Sequence, residues 1–397
     1  MNIRILNDMA LLDKNRREES LGLLFTGDFY PHRSARSLIL QNDYQALFND
    51  FLPVLHKADM VVTNLECPLT DREREINKSG PALKAPPATA KALRYGNIEI
   101  ACLANNHIMD YGNEGLIDTL QYLNAAEIKY VGAGNSLNQA RKPLIINKKG
   151  HRIGIINICE HEFSIASDHT AGAAPIDEIT NYYQIKDIRS NTDLIILIIH
   201  GGHEMYPFPS PRMVKLYRFY ADLGVDVIIG HHPHVFSGYE IYHGVPIFYS
   251  LGNFLFDAPE RSDMWYRGFT VYLKISEKSI SEIFLIPYSQ FADGYGIRLL
   301  NIKETGEFEN IISEYNQVIA HDTKLQEQFQ QYSRIQRKNY LAVFLSNSRY
   351  KRKLLHIKIF QRLFFKRIRL LRLLNQFRCQ AHRDVMTEIL ENEVRTN

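Results

Sequence analysis

Short apolar runs recur along the chain, and each breaks off into glycine and polar residues. Residues 21–25 run into Thr26, Gly27 and Asp28, and residues 60–63 run into Asn64, Leu65 and Glu66. Residues 98–103 end at Ala104, Asn105, Asn106 and His107, and 193–199 deliver His200, Gly201, Gly202, His203 and Glu204. Residues 225–229 stop at Gly230, followed by His231, His232 and His234. Runs without polar alternation predict strands buried on both faces. Residues 128–131, 152–159 and 246–250 predict further strands, and 269–275 with 280–287 an antiparallel pair. Helical patterns at 34–57, 88–95, 113–126 and 212–223 lie between them. Strand and helix alternate, so the fold class expected is α/β with parallel strands.

The ends of parallel strands gather on one edge of a sheet, where α/β proteins bind ligands. Asp28, Glu66, Asn106, His200, His232 and His234 all lie just past such ends, so residues remote in sequence can converge. Two carboxylates, one amide oxygen and three imidazoles suit two divalent ions, manganese, iron or zinc, in a mixed N/O site. Taken singly, Asp28 or Glu66 reads as a cap or turn residue, and Lys84 as a solvated lysine. His203 and Glu204 read either as partners that orient a ligand or as the start of the proline-rich loop through Pro207, Pro209 and Pro211.

Composition refines this picture in two places. Cys67, Cys102, Cys159 and Cys379 show no CxxC spacing, which suits reduced thiols rather than a disulfide framework or thiolate zinc site. The net charge of +3 averages two regions: residues 328–383 hold ten Arg and five Lys with no Asp or Glu, so the remainder carries 32 basic against 44 acidic residues, or −12. The expected division is a polar N-terminal segment at 1–20, a domain at 21–300 and a helical, basic C-terminal extension at 301–397. Residues 1–20 have no apolar stretch of signal-peptide length and no run approaches a membrane span, so the cytoplasm is the expected compartment.

The motifs TGD at 26–28, NLECPLT at 64–70, KAPP at 84–87, LANNHIMDYG at 103–112, HGGHE at 200–204, VDVIIGHHPHV at 225–235 and YSLGNFLFD at 249–257 occur in one order. In that order they resemble the calcineurin-like metallophosphatase superfamily, and more closely its CapA branch of poly-γ-glutamate capsule biosynthesis. The resemblance covers roughly 21–287 and implies a four-layer αββα sandwich. It implies that Asp28 and His234 bind a first metal, that Asn106, His200 and His232 bind a second, and that Glu66 sits between them. His107 would be the proton donor, with Asp110 as the other catalytic residue of its motif. Lys84, His231, Glu204 and Asn253 are the candidate substrate contacts. Tyr30 stands where the superfamily has a ligating histidine, which implies a weakly held first metal. Gly201 stands where the family has an aromatic residue, which implies a wider pocket. The implied activity is hydrolysis of a phosphoester or of a γ-linked anionic polymer, and the alternative is a non-catalytic assembly protein that keeps the fold and metal.

Residues 351–378 read as an amphipathic helix. Lys358, Arg362, Lys366, Arg369 and Arg372 gather opposite Ile359, Leu363, Leu370, Leu374 and Phe377. The candidate partner of this face is an anionic membrane surface on the inner side of the membrane; the alternative is docking on the body or a second subunit. Nucleic acid is not expected, because the remainder is acidic. The full chain is expected to co-sediment with anionic vesicles, each basic residue contributing on the order of 1 kcal/mol. Binding should fade as the Debye length contracts from about 10 Å at 0.1 M to about 3 Å at 1 M salt. Equal binding by a chain ending at Ser348 would leave only the docked helix.

Overall fold

In the second sheet, alternate residues of one apolar strand feed two different cores. Leu194, Ile196 and Ile198 point inward toward the first sheet, while Ile195, Leu197 and Ile199 point out to a helical layer. The computed structural model describes residues 3–6, 20–258, 261–292 and 296–342, with positions 370, 373, 374, 377, 390 and 394 beyond. Apart from four of those positions, the segment 351–378 lies outside the described residues. The chain divides into two units, 1–329 and 330–397; the architecture below is that of the first.

Two sheets stack face to face. The first runs in the order Ile3–Ile5, Ser279–Gln290, Arg267–Ser276, Leu21–Phe29, Met60–Leu65, Ile98–Cys102, Lys129–Val131. The second runs Tyr239–Tyr242, Val245–Phe248, Val227–His231, Leu194–His200, His151–Cys159, Leu144–Lys148. The central strands of each are parallel. Leu21, Leu23, Phe25, Met60, Val62 and Ile100 meet Ile153, Ile155, Val227 and Ile229 between the sheets. Helices cover both outer faces: Leu47, Phe51, Leu93 and Leu116 pack on the first sheet, and Met213, Tyr217 and Tyr220 on the second. This is the expected αββα sandwich, and the unbroken apolar runs are its signature.

The helical pattern at 34–57 is in fact broken into Arg33–Leu40, Tyr44–Phe48, a 3-10 turn at Asn49–Phe51 and Leu52–Lys57. Asn42 and Asn49 take left-handed φ values of 58° and 46°, and the Asp43 side chain accepts from Ala46 N–H to start the second piece. Apolar spacing survives each break, which is why periodicity alone reads as continuous. The antiparallel pair is present as Arg267–Ser276 with Ser279–Gln290. The helix Ile302–Ile319 places Phe308 and Ile312 in the inter-sheet core. No helix among the described residues is long and apolar enough to cross a membrane.

The strand Leu21–Phe29 positions the site through a bulge. Its register against Met60–Leu65 shifts between Phe25 and Asp28, which re-aims the Asp28 side chain. Gly27 is needed there, because a Cβ on it would lie 1.9 Å from the Gly252 carbonyl oxygen, a backbone atom of the neighbouring segment. Gly27→Ala is therefore expected to cost about 1–3 kcal/mol or more by overpacking. The measurement is the denaturant midpoint at unchanged m-value; an unshifted midpoint would contradict the close approach.

Candidate metal centre

Strand register brings the expected ligands to one edge. Asp28 pairs across the sheet with Asn64 on one side and Asn253 on the other, and His200 lies opposite His231 in the second sheet. His232 and His234 follow in a tight turn with φ of 99° and 58°. Non-glycine residues in such conformations store of order 1–3 kcal/mol each and persist only where the surroundings hold them.

Two ligand groups share one carboxylate. Asp28, Glu66 and His234 form the first, and Glu66, His200 and His232 the second, with donor atoms in each within 4.8 Å of one another. Glu66 Oε1 lies 3.6 Å from both His200 Nε2 and His234 Nε2. Asn106 joins the second group, its Oδ1 accepting from His200 Nε2 at 3.0 Å. The same His200 Nε2 is 3.1 Å from His232 Nδ1. An amide oxygen and an imidazole nitrogen thus compete for one proton, an arrangement that a cation would relieve.

Glu66 tests whether these residues fit a metal. It is fully buried, and neither carboxylate oxygen has a hydrogen-bond partner. Burial, followed by the charges of Asp28, Glu204, Glu162 and Asp110, pushes its carboxyl well above the usual range. A buried charge of that kind is not tolerated unpaired. Asp28 behaves oppositely: burial pushes it up, but the contact and charge of His231, with His200 and His234, hold it well below the usual range. Burial and the neighbouring His232 keep His200 well below the usual imidazole range, and burial brings His234 to about 4. Neutral imidazoles are the ligating form. Carboxylate, amide and imidazole donors without a thiolate suit divalent cations, so the residues fit. Cys67, Cys102 and Cys159 are buried free thiols.

Further residues hold these groups in place. Asn253 is buried, accepts from His234 Nδ1 at 3.0 Å and donates to the His234 and Trp265 carbonyls. Expected as a substrate contact, it fixes the His234 ring with Nε2 toward Glu66. His231, also expected to meet substrate, is buried with Nδ1 3.3 Å from Asp28 Oδ1. Asn64, for which the sequence offered no role, donates to Asp28 Oδ1 at 2.8 Å and lies 3.2 Å from His200 Nδ1. Tyr30 stacks on His32 and meets Phe256 edge-on, leaving three residues in the first group. The space beside Gly201 is not a widened pocket, because the Glu160 side chain fills it: a Cβ there would meet Glu160 Cγ at 2.7 Å.

The structure brings His107 and Asp110 together, with Nδ1 2.6 Å from Oδ2, immediately after the candidate ligand Asn106. Beside them is Lys78, whose ammonium pairs with Asp110 and lies 3.1 Å from His107 Nδ1. It sits in an aperiodic polar loop with no sequence signal. Lys84 lies elsewhere, bonded to the Arg72 carbonyl and 4.7 Å from the Tyr111 ring centroid. Glu204 is exposed, and its charge reaches Glu66.

The two-sheet sandwich and the donor cluster at its edge have the layout that the metallophosphatase resemblance implies. Residues 22–258 match the family described as bacterial capsule synthesis protein PGA_cap, and the chain belongs to that family. It is 32% identical over 254 residues to the PGA biosynthesis protein CapA of Bacillus subtilis, covering 62% of this chain and 65% of that protein. It is 31% identical over 253 residues to the capsule biosynthesis protein CapA of Bacillus anthracis, covering 62% of each. The matched stretch thus spans less than two thirds of either relative. A hypothetical protein from Thermus thermophilus has a similar solved structure, with a TM-score of 0.44 at 12% identity, covering 68% of this chain and 99% of that one. That similarity is too distant to bear on activity.

Because Glu66 serves both groups, Glu66→Gln is expected to remove both ions, whereas His234→Ala removes only the first. Elemental analysis after dialysis against Mn²⁺ or Zn²⁺ should give about two, none and one ion per chain for wild type, Glu66→Gln and His234→Ala. In chelator the order of stability should invert. Glu66→Gln, which no longer buries an unpaired carboxyl group, should melt at or above wild type. A lower melting temperature in chelator would contradict the orphan-carboxylate argument.

Proposed function

We propose that the chain is a metal-dependent hydrolase acting in the synthesis of a capsule or other anionic envelope polymer, with a phosphoester or γ-glutamyl amide as the scissile bond. One observation carries the reading: two ligand groups share the partnerless Glu66 carboxylate, and a histidine–aspartate pair stands beside one of them. The names of the Bacillus relatives supply the polymer.

Asp28, Glu66 and His234 would hold one divalent ion, and Glu66, His200, His232 and Asn106 the other. Ions held there would supply Lewis-acid polarisation and activation of water. The chain's own residues do the rest. Asn253 and Asn64 fix the orientations of His234, Asp28 and His200. Asp110 holds the His107 proton on Nδ1, so Nε2 is the nitrogen that exchanges a proton with the leaving group. The enclosed strand edge keeps bulk water from competing with these contacts.

A second reading, a non-catalytic assembly protein, is favoured by Tyr30, which leaves the first group a residue short of the superfamily pattern. Turnover separates the two. Metal-dependent cleavage of a generic phosphodiester or of poly-γ-glutamate is expected from wild type. His107→Ala should lose turnover, by about 10²–10⁴-fold, while keeping its metal, and His232→Ala should lose both. Loss of metal in His107→Ala to the extent seen in His232→Ala would overturn the assigned roles. Metal binding without turnover of any such substrate would support the assembly reading.

A further inference from the structure

Lys78 is a buried charge that the reading above leaves unused. Its side chain is 4% exposed although it belongs to the polar loop between Thr70 and Ala85. The loop is closed at its base by Thr70 N–H to the Ala85 carbonyl and Ala85 N–H to the Pro68 carbonyl, each 3.0 Å. Within it, three groups converge on one residue. Ile76 N–H donates to the Asp110 carbonyl at 2.9 Å, Lys78 Nζ pairs with Asp110 Oδ1, and Leu83 N–H donates to Asp110 Oδ2 at 2.7 Å. His107 Nδ1 takes the remaining place on Oδ2.

A buried ammonium is costly unless paired, and a buried carboxylate is equally short of a counter-charge. Each meets the other's need here. The 2.6 Å separation between Nδ1 and Oδ2 requires the proton between them, so the Lys78 contact with Nδ1 is a packing contact and its hydrogen bond goes to Asp110. From this geometry we infer that Lys78 is a positioning residue: by pairing with Asp110 it holds the 71–84 loop against the His107–Asp110 pair and sets the orientation of the His107 ring. A solvated loop lysine would do neither. A lysine that merely fastened the loop would leave the ring unaffected.

The test compares Lys78→Met and Lys78→Arg with wild type by two readouts, neither of which needs a substrate. The first is the NMR signal of the His107 Nδ1 proton hydrogen-bonded to Asp110. The second is hydrogen exchange at the Ile76 and Leu83 amides. Lys78→Met is expected to lose or broaden the ring signal and to speed exchange at both amides at least about tenfold at unchanged metal content, and Lys78→Arg to restore both. If Lys78→Met does not fold, Lys78→Gln, which keeps a donor but not the charge, replaces it with the same expectation. An intact ring signal in the neutral variant overturns the inference, whether or not the loop amides exchange faster. The catalytic consequence rests on the hydrolase reading: kcat should fall about 10²-fold with KM unchanged. Absence of turnover by wild type would count against that reading alone, and the ring signal would still decide this one.

Discussion

The carboxylate of Glu66 is the constraint on which the rest of this site depends. It has no solvent and no hydrogen-bond partner, and four other carboxylates raise its proton affinity. Such a group is either protonated or matched by positive charge from outside the protein chain. Asp28 and His234 face it on one side, and His200, His232 and Asn106 on the other. The proposed pair of divalent cations, one on either side, would use every one of these donors.

The fold is arranged to hold these buried donors in place. A bulge at the end of Leu21–Phe29 turns Asp28 toward Glu66, and the close approach of Gly27 to Gly252 fixes the bulge. His232 and His234 are kept in left-handed backbone conformations, while Asn253 and Asn64 spend their amides on orienting ligands. The apolar layers on either side of each sheet supply the rigidity that this strain requires. Function and stability therefore pull against each other at one edge of the sandwich. Cation binding to the native state alone would return part of that cost.

Much of this was legible in the sequence, for a physical reason. A strand buried on both faces, such as Leu194–His200, must be apolar throughout, so the first polar residue after it marks the sheet edge. That is why six dispersed ligand candidates could be picked out, and the structure brings all six to one edge. Roles set by side-chain packing were not legible. Asn253 looks like any polar residue after a strand, and only its three hydrogen bonds show that it serves His234. Lys78 sits in an aperiodic loop, where burial leaves no pattern, while Lys84, in a recognisable motif, lies outside the His107–Asp110 pair. The breaks at Asn42 and Asn49 preserve apolar spacing and so were hidden from periodicity.

The proposed metal centre places Glu66 between two cations. Anomalous diffraction from crystals grown with Mn²⁺ tests it most directly. Two peaks are expected, one on either side of the Glu66 carboxylate, one against Asp28 and His234 and the other against Asn106, His200 and His232. Peaks that leave both Glu66 oxygens without a cation would contradict it.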